Sequence, residues 1–253
     1  MNLRLLIDPK EAEGHPFELF WVGAVFAFLS VVLSPWLFPE HPSIVMIGVT
    51  IAASTPIVYH ILSFEMMKKH VKFIQEHRQA IIVFGSLFFG FVAGYLAGFL
   101  IMPDVFLAQT GAIAKLTGSF WGSSGPIILD NVRVLLFCVL LSVFFGTGAI
   151  LILAWNASVL AAALGSFILS KLAAGSPVIT AVGAGLAKYL IHGIPEMIAY
   201  FIGGLAGGMV FYSVITKNKP KRVLLEALLL VLLSVVILVI AAMIEVSVFP
   251  RIG

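Results

Sequence analysis

Charge is scarce along this chain: 15 Lys and Arg and 12 Asp and Glu among 253 residues, 11% in all, against 61% hydrophobic residues. A soluble domain carries about 25% charged residues, so this set cannot coat a water-facing surface. Disorder needs low hydrophobicity and high charge, and is excluded with it. What remains is an integral membrane protein with little mass outside the bilayer, localised to the cell membrane. Cysteine is almost absent, and the single Cys138 forbids an intrachain disulfide. Also missing are a Walker motif, a dinucleotide fingerprint, a cysteine pair and a His-Glu-x-x-His pattern. A lone His and Glu fall short of the three or four ligands zinc needs, so no metal or cofactor is expected. Gly122-Ser123-Ser124-Gly125 reads as a flexible loop rather than an intramembrane protease serine, and the body as non-catalytic. The first apolar patch is too short for a signal peptide and acidic residues follow it. The net charge of +3 comes from cations that flank apolar runs. They mark topology, with no nucleic-acid partner.

A bilayer core about 30 Å thick needs roughly 20 apolar residues in a helix. Six runs qualify: 17–38, 43–62, 80–102, 132–155, a glycine-rich run at 197–215, and the most apolar at 223–244. The stretch 156–191 holds two shorter apolar pieces, 157–169 and 178–191, split by Lys171 and Gly175-Ser176-Pro177. These read as half-helices, a re-entrant pair, or an interfacial helix with one short span. The predicted fold is therefore an all-α polytopic bundle of about six full spans plus a broken or re-entrant region.

Lysine and arginine set the orientation. Lys68, Lys69, Lys72 and Arg78 lie in one loop, and Lys217, Lys219, Lys221 and Arg222 in another. The intervening segments 39–42 and 104–131 carry only Lys115. The two basic loops are thus expected in the cytoplasm, with the N-terminus cytoplasmic, seven crossings and the C-terminus extracytoplasmic. Four parts follow: a cytoplasmic segment 1–16, a transmembrane hairpin 17–63, a basic amphipathic segment 64–79, and a membrane body 80–253. In 64–79, Phe64, Met67, Val71 and Ile74 share a helical face, which suits a helix on the headgroups or a solvated linker. The stretch 108–126 reads as an external loop or half-helix.

Small residues mark helix contacts in lipid. Gly90, Gly94 and Gly98 form one stripe, and Gly203, Gly204, Gly207 and Gly208 a second. Both suit packing within the chain, with homo-oligomerisation as the other use. Ionisable residues at membrane depth are costly and are functional candidates by default. The best cluster is His192-Gly193-Ile194-Pro195-Glu196. Gly193 is expected to break the preceding helix and Pro195 to start the next, with Glu196 in its first turn near the external interface. Asn131 and Asn156 bracket the fourth run, and Asn156 is a candidate cap for a half-helix. Glu245 lies near the external end of the last run, and Lys188 is expected to snorkel or meet a carboxylate.

Asn131 opening a span that carries Gly146 and Gly148 resembles the stage II sporulation protein M family. So do Asn156 before small residues, the His192-Gly193-Ile194-Pro195-Glu196 turn with its small-residue helix to Gly208, and the terminal Ala-Ala-Met-Ile-Glu245. The resemblance covers 131–245. It implies a polytopic body, and in sporulating bacteria a scaffold that works with peptidoglycan-degrading partners without being a hydrolase. A membrane scaffold or regulator is the first functional expectation, with membrane lipids and membrane or extracytoplasmic proteins as partners. The alternative is a small-molecule or lipid transporter with its site at the broken helix around His192–Glu196. A water-filled cavity holding His192, Glu196 and Asn156 favours the transporter; a sealed, packed body favours the scaffold.

Overall fold

The computed structural model describes residues 15–67, 73–119, 124–217 and 220–252. Among them are eight α-helices and no strand: α1 (Pro16–Leu37), α2 (Pro42–Met67), α3 (Phe73–Ile101), α4 (Leu107–Ser119), α5 (Ser124–Phe145), α6 (Ala149–Ala173), α7 (Val178–Thr216) and α8 (Pro220–Ile252). A 3-10 turn, Pro103–Phe106, joins α3 to α4. Seven helices, all but α4, are long and apolar enough to cross a membrane. The fold is an all-α transmembrane bundle.

α1 packs most extensively on α3, and α7 on α8. The α1–α3 seam is close because α3 offers no side chain there. A Cβ at Gly90 would collide with the Phe20 carbonyl, one at Gly94 with the Ala24 carbonyl, and one at Gly98 would press Val31. Without a hydrophobic force between helices in lipid, polar bonds supply the rest. Tyr95 Oη donates to Thr50 Oγ1 at 2.8 Å, and Thr50 Oγ1 lies 2.8 Å from Ser30 Oγ, which joins α3, α2 and α1 inside the core. At the far end, Ser43 Oγ donates to the Val105 carbonyl at 2.7 Å, and Gln109 Nε2 to the Ser43 carbonyl at 3.3 Å. These bonds dock the 3-10 turn and α4 on α2, so the described part of 108–126 is largely helix.

Two breaks differ from expectation. The run 132–155 is interrupted at Gly146-Thr147-Gly148, where Gly146 has φ +71° and leaves no room for a Cβ beside the Phe211 ring. A residue at positive φ favours glycine. The Gly146 amide donates to the Ser142 carbonyl at 2.8 Å and the Ala149 amide to Ser142 Oγ at 3.0 Å, so Ser142 closes the turn. α6 then runs unbroken through Asn156 to Ala173, so no half-helix starts at Asn156. The second expected break, at Gly193 and Pro195, is absent: α7 is one helix of 39 residues with Pro195 inside it. Proline removes one helical donor, which costs a single bond and does not end the helix when neighbours hold it on both sides. The gained break and the lost one offset each other, so seven long apolar helices remain.

The amphipathic reading of 64–79 falls partly outside the described residues. Phe64 and Met67 close α2, and Phe73 and Ile74 open α3. Residues 1–14 also lie outside them.

Candidate functional site

α5 and α7 run parallel, because Leu135 lies on Gly203 while Val139 and Ser142 lie on Gly207. This register brings two residues 65 positions apart into contact. Asn131 Nδ2 donates to Glu196 Oε1 at 2.6 Å, and Tyr200 Oη donates to Asn131 Oδ1 at 3.2 Å. Asn131 and Glu196 are half-buried, whereas Tyr200 is buried. A carboxylate taken from water needs strong donors, and the short amide contact supplies one. Asn131 is thus a two-way bridge, donating to the carboxylate and accepting from the phenol.

Glu196 occupies the interior of α7, not a first turn. It stands eighteen residues in from Val178, about 27 Å at 1.5 Å per residue. The helix dipole therefore does not stabilise it as expected; Asn131 does. α7 and α6 continue side by side beyond it. Their antiparallel seam runs from Ala149 against Gly204 to Leu164 against Gly185, which sets Asn156 at the height of Glu196. Asn156 Nδ2, however, donates back to the Ile152 carbonyl at 2.8 Å, an intrahelical bond that needs no cap.

Gly193 lies on α7, and a Cβ there would meet nothing within 4 Å. The His192 backbone is helical, three residues before Pro195, and Glu245 lies in the last turns of α8. The side chains of both lie outside the described residues. Gly203, Gly204, Gly207 and Gly208 all face neighbours within the chain: Leu135, Ala149, Val139 and Leu62 in turn. Among the described residues, no three His, Cys, Asp or Glu side chains gather as a metal site.

Tyr200 went unremarked in the sequence, although the i, i+4 spacing from Glu196 signals a shared face once the helix is known to be continuous. Also unremarked is a cavity of about 20 Å³ under the α5–α6 turn, room for about one water. Val58, Leu62, Phe84, Ser142, Thr147 and Leu205 are in its wall; Asn131, Asn156 and Glu196 are not.

Chemically, the Asn131–Glu196–Tyr200 arrangement holds charge and bonds two helices. It offers no nucleophile activated by a neighbouring base. The model of one protein family, described as stage II sporulation protein M, matches residues 18–250. No curated protein and no solved structure matches the chain.

Proposed function

The chain belongs to the stage II sporulation protein M family, and from that premise we propose that this multi-pass membrane protein is a non-catalytic scaffold or regulator. One observation carries the reading. The polar groups at the candidate site are spent on each other across α5 and α7, at 2.6 and 3.2 Å. A transport site keeps such groups for a passing solute, in a cavity between discontinuous helices. Here α7 is continuous through Glu196, and the cavity under the α5–α6 turn excludes it. The carboxylate bridge fixes how α5 stands against α7, and so the shape of the surface offered to membrane or extracytoplasmic protein partners. The basic loops and the N-terminus face the cytoplasm and the C-terminus the exterior.

The test is affinity capture of the tagged protein from its native membrane, beside a Glu196→Gln variant, with liposome flux assays in parallel. A stoichiometric protein partner, weakened in the variant, is the expected result. A protein that comes out alone and moves a solute in liposomes overturns the reading in favour of a transporter.

A further inference from the structure

α5 buries the smallest share of its apolar length among the seven long helices. Its inner face carries Leu135, Cys138 and Ser142, all buried, where it packs on α7 and α8. At 3.6 residues per turn the opposite face holds Asp130, Arg133, Phe137, Leu140 and Phe144, and every one of them is exposed. Their spacing is three, four, three and four, which is the a and d seam of a heptad. An apolar seam alone would suit lipid tails, but the two charges do not. Asp130 and Arg133 lie within the apolar segment Ile128–Phe145. They pair at 2.7 Å with side chains 57% and 71% exposed. Ionisable residues in a spanning helix almost always face protein or a water-filled cavity. These two face away from their own bundle, so each has its counter-charge and neither has a cover.

The cover must bring one positive and one negative group to the same height, above an apolar seam. A second copy of α5 does so. A two-fold axis along the membrane normal makes the two helices parallel and sets equal heights opposite each other. Asp130 of one copy then meets Arg133 of the other, one helical turn along, and the pairs exchange partners without losing a bond. We propose that this face of α5 is a homodimer interface. The Asp130–Arg133 pairs set its register, as polar residues at seam positions do, and Phe137, Leu140 and Phe144 pack it. Asn131, between the two charges, points the other way to Glu196, so the interface leaves that bridge in place. The proposal does not rest on the scaffold reading, which a monomer would serve equally.

The full chain, taken from its native membrane into polymer-bounded lipid discs, is weighed by native mass spectrometry. Wild type is expected as a dimer. A monomer, or a complex with a different protein and no second copy, overturns the proposal, and this arm needs no variant to fold. The face is then read in native membranes by oxidation to a disulfide, in a Cys138→Ala background. Phe137→Cys and Phe144→Cys are expected to cross-link to their own copy, and Leu228→Cys, also exposed but on α8, is not. A dimer linked at Leu228→Cys and at neither α5 position overturns this face. Arg133→Gln should lower the dimer-to-monomer ratio roughly tenfold, the scale of one charge-assisted bond. The exchange of Asp130→Arg with Arg133→Asp keeps the two charges complementary and should keep the dimer. An unchanged ratio in Arg133→Gln, or its loss in an exchanged chain that melts like wild type, overturns the role of the charge pairs.

Discussion

Glu196 and Asn131 face each other at 2.6 Å inside an apolar bundle, so the contact has more to lose than to gain. Removing the amide leaves a half-buried carboxylate short of a donor, a cost of about 1–3 kcal/mol. Asn131→Ala should therefore lower the thermal unfolding midpoint in detergent clearly. Glu196→Gln retains an acceptor for Asn131 and should lower it less. Tyr200→Phe gives up one 3.2 Å bond between neutral groups and should cost about 0.5–1.5 kcal/mol. The decisive measurement is a double-mutant cycle of Asn131→Ala with Glu196→Ala. Groups that share one bond give a double variant less destabilised than the two singles added together. Strict additivity would show that the contact carries no energy. The residue types of this site were readable, since Asn131 and Glu196 stand out against apolar runs. Their pairing was not, because nothing local to either residue encodes the parallel register of α5 on α7.

Glycines on one helix type do different work, and their substitution separates the roles. In α3, a Cβ at Gly90 or Gly94 runs into the α1 backbone, which cannot rotate away as a side chain can. Gly90→Ala should push α1 from α3 and destabilise by about 1–3 kcal/mol, the usual range for overpacking. Gly193 lies in a continuous helix with open space around it. Gly193→Ala should be neutral or stabilise by up to about 1 kcal/mol, since alanine is the better helix former. A strong loss at Gly193 would mean that the helix breaks there after all; both outcomes are read from the same thermal melts. Hydropathy made the long apolar helices legible because each must fill the bilayer. It could not choose between Gly146-Thr147-Gly148 and Gly193-Ile194-Pro195 as the break. Either punctuates a helix locally, and the choice is made by tertiary packing: Ser142 closes the first as a turn, while α5, α6 and α8 hold the second straight.

Moving that break changes which ends of the chain share a side of the membrane. With 132–155 as one span and a broken region after it, Ser176 has no fixed side. With α5 and α6 as separate crossings, four helices (α2, α3, α5 and α6) lie between the α1–α2 turn and Ser176, so the two must share a side. α7 then puts Lys221 on the other. The single Cys138 is buried, so Cys138→Ala supplies a silent background for cysteine labelling. Glu40 and Lys221 are exposed, and Ser176 is half-buried in the turn between α6 and α7. In intact cells a membrane-impermeant maleimide should label Glu40→Cys and Ser176→Cys, and should reach Lys221→Cys only after permeabilisation. The direction is the one proposed from the positive-inside rule, with the lysines and arginines around Lys217 on the cytoplasmic side. Labelling of Glu40→Cys and Ser176→Cys from opposite sides would contradict the α5–α6 turn as the reversal between two spans. Labelling of all three from outside would instead deny that α7 crosses.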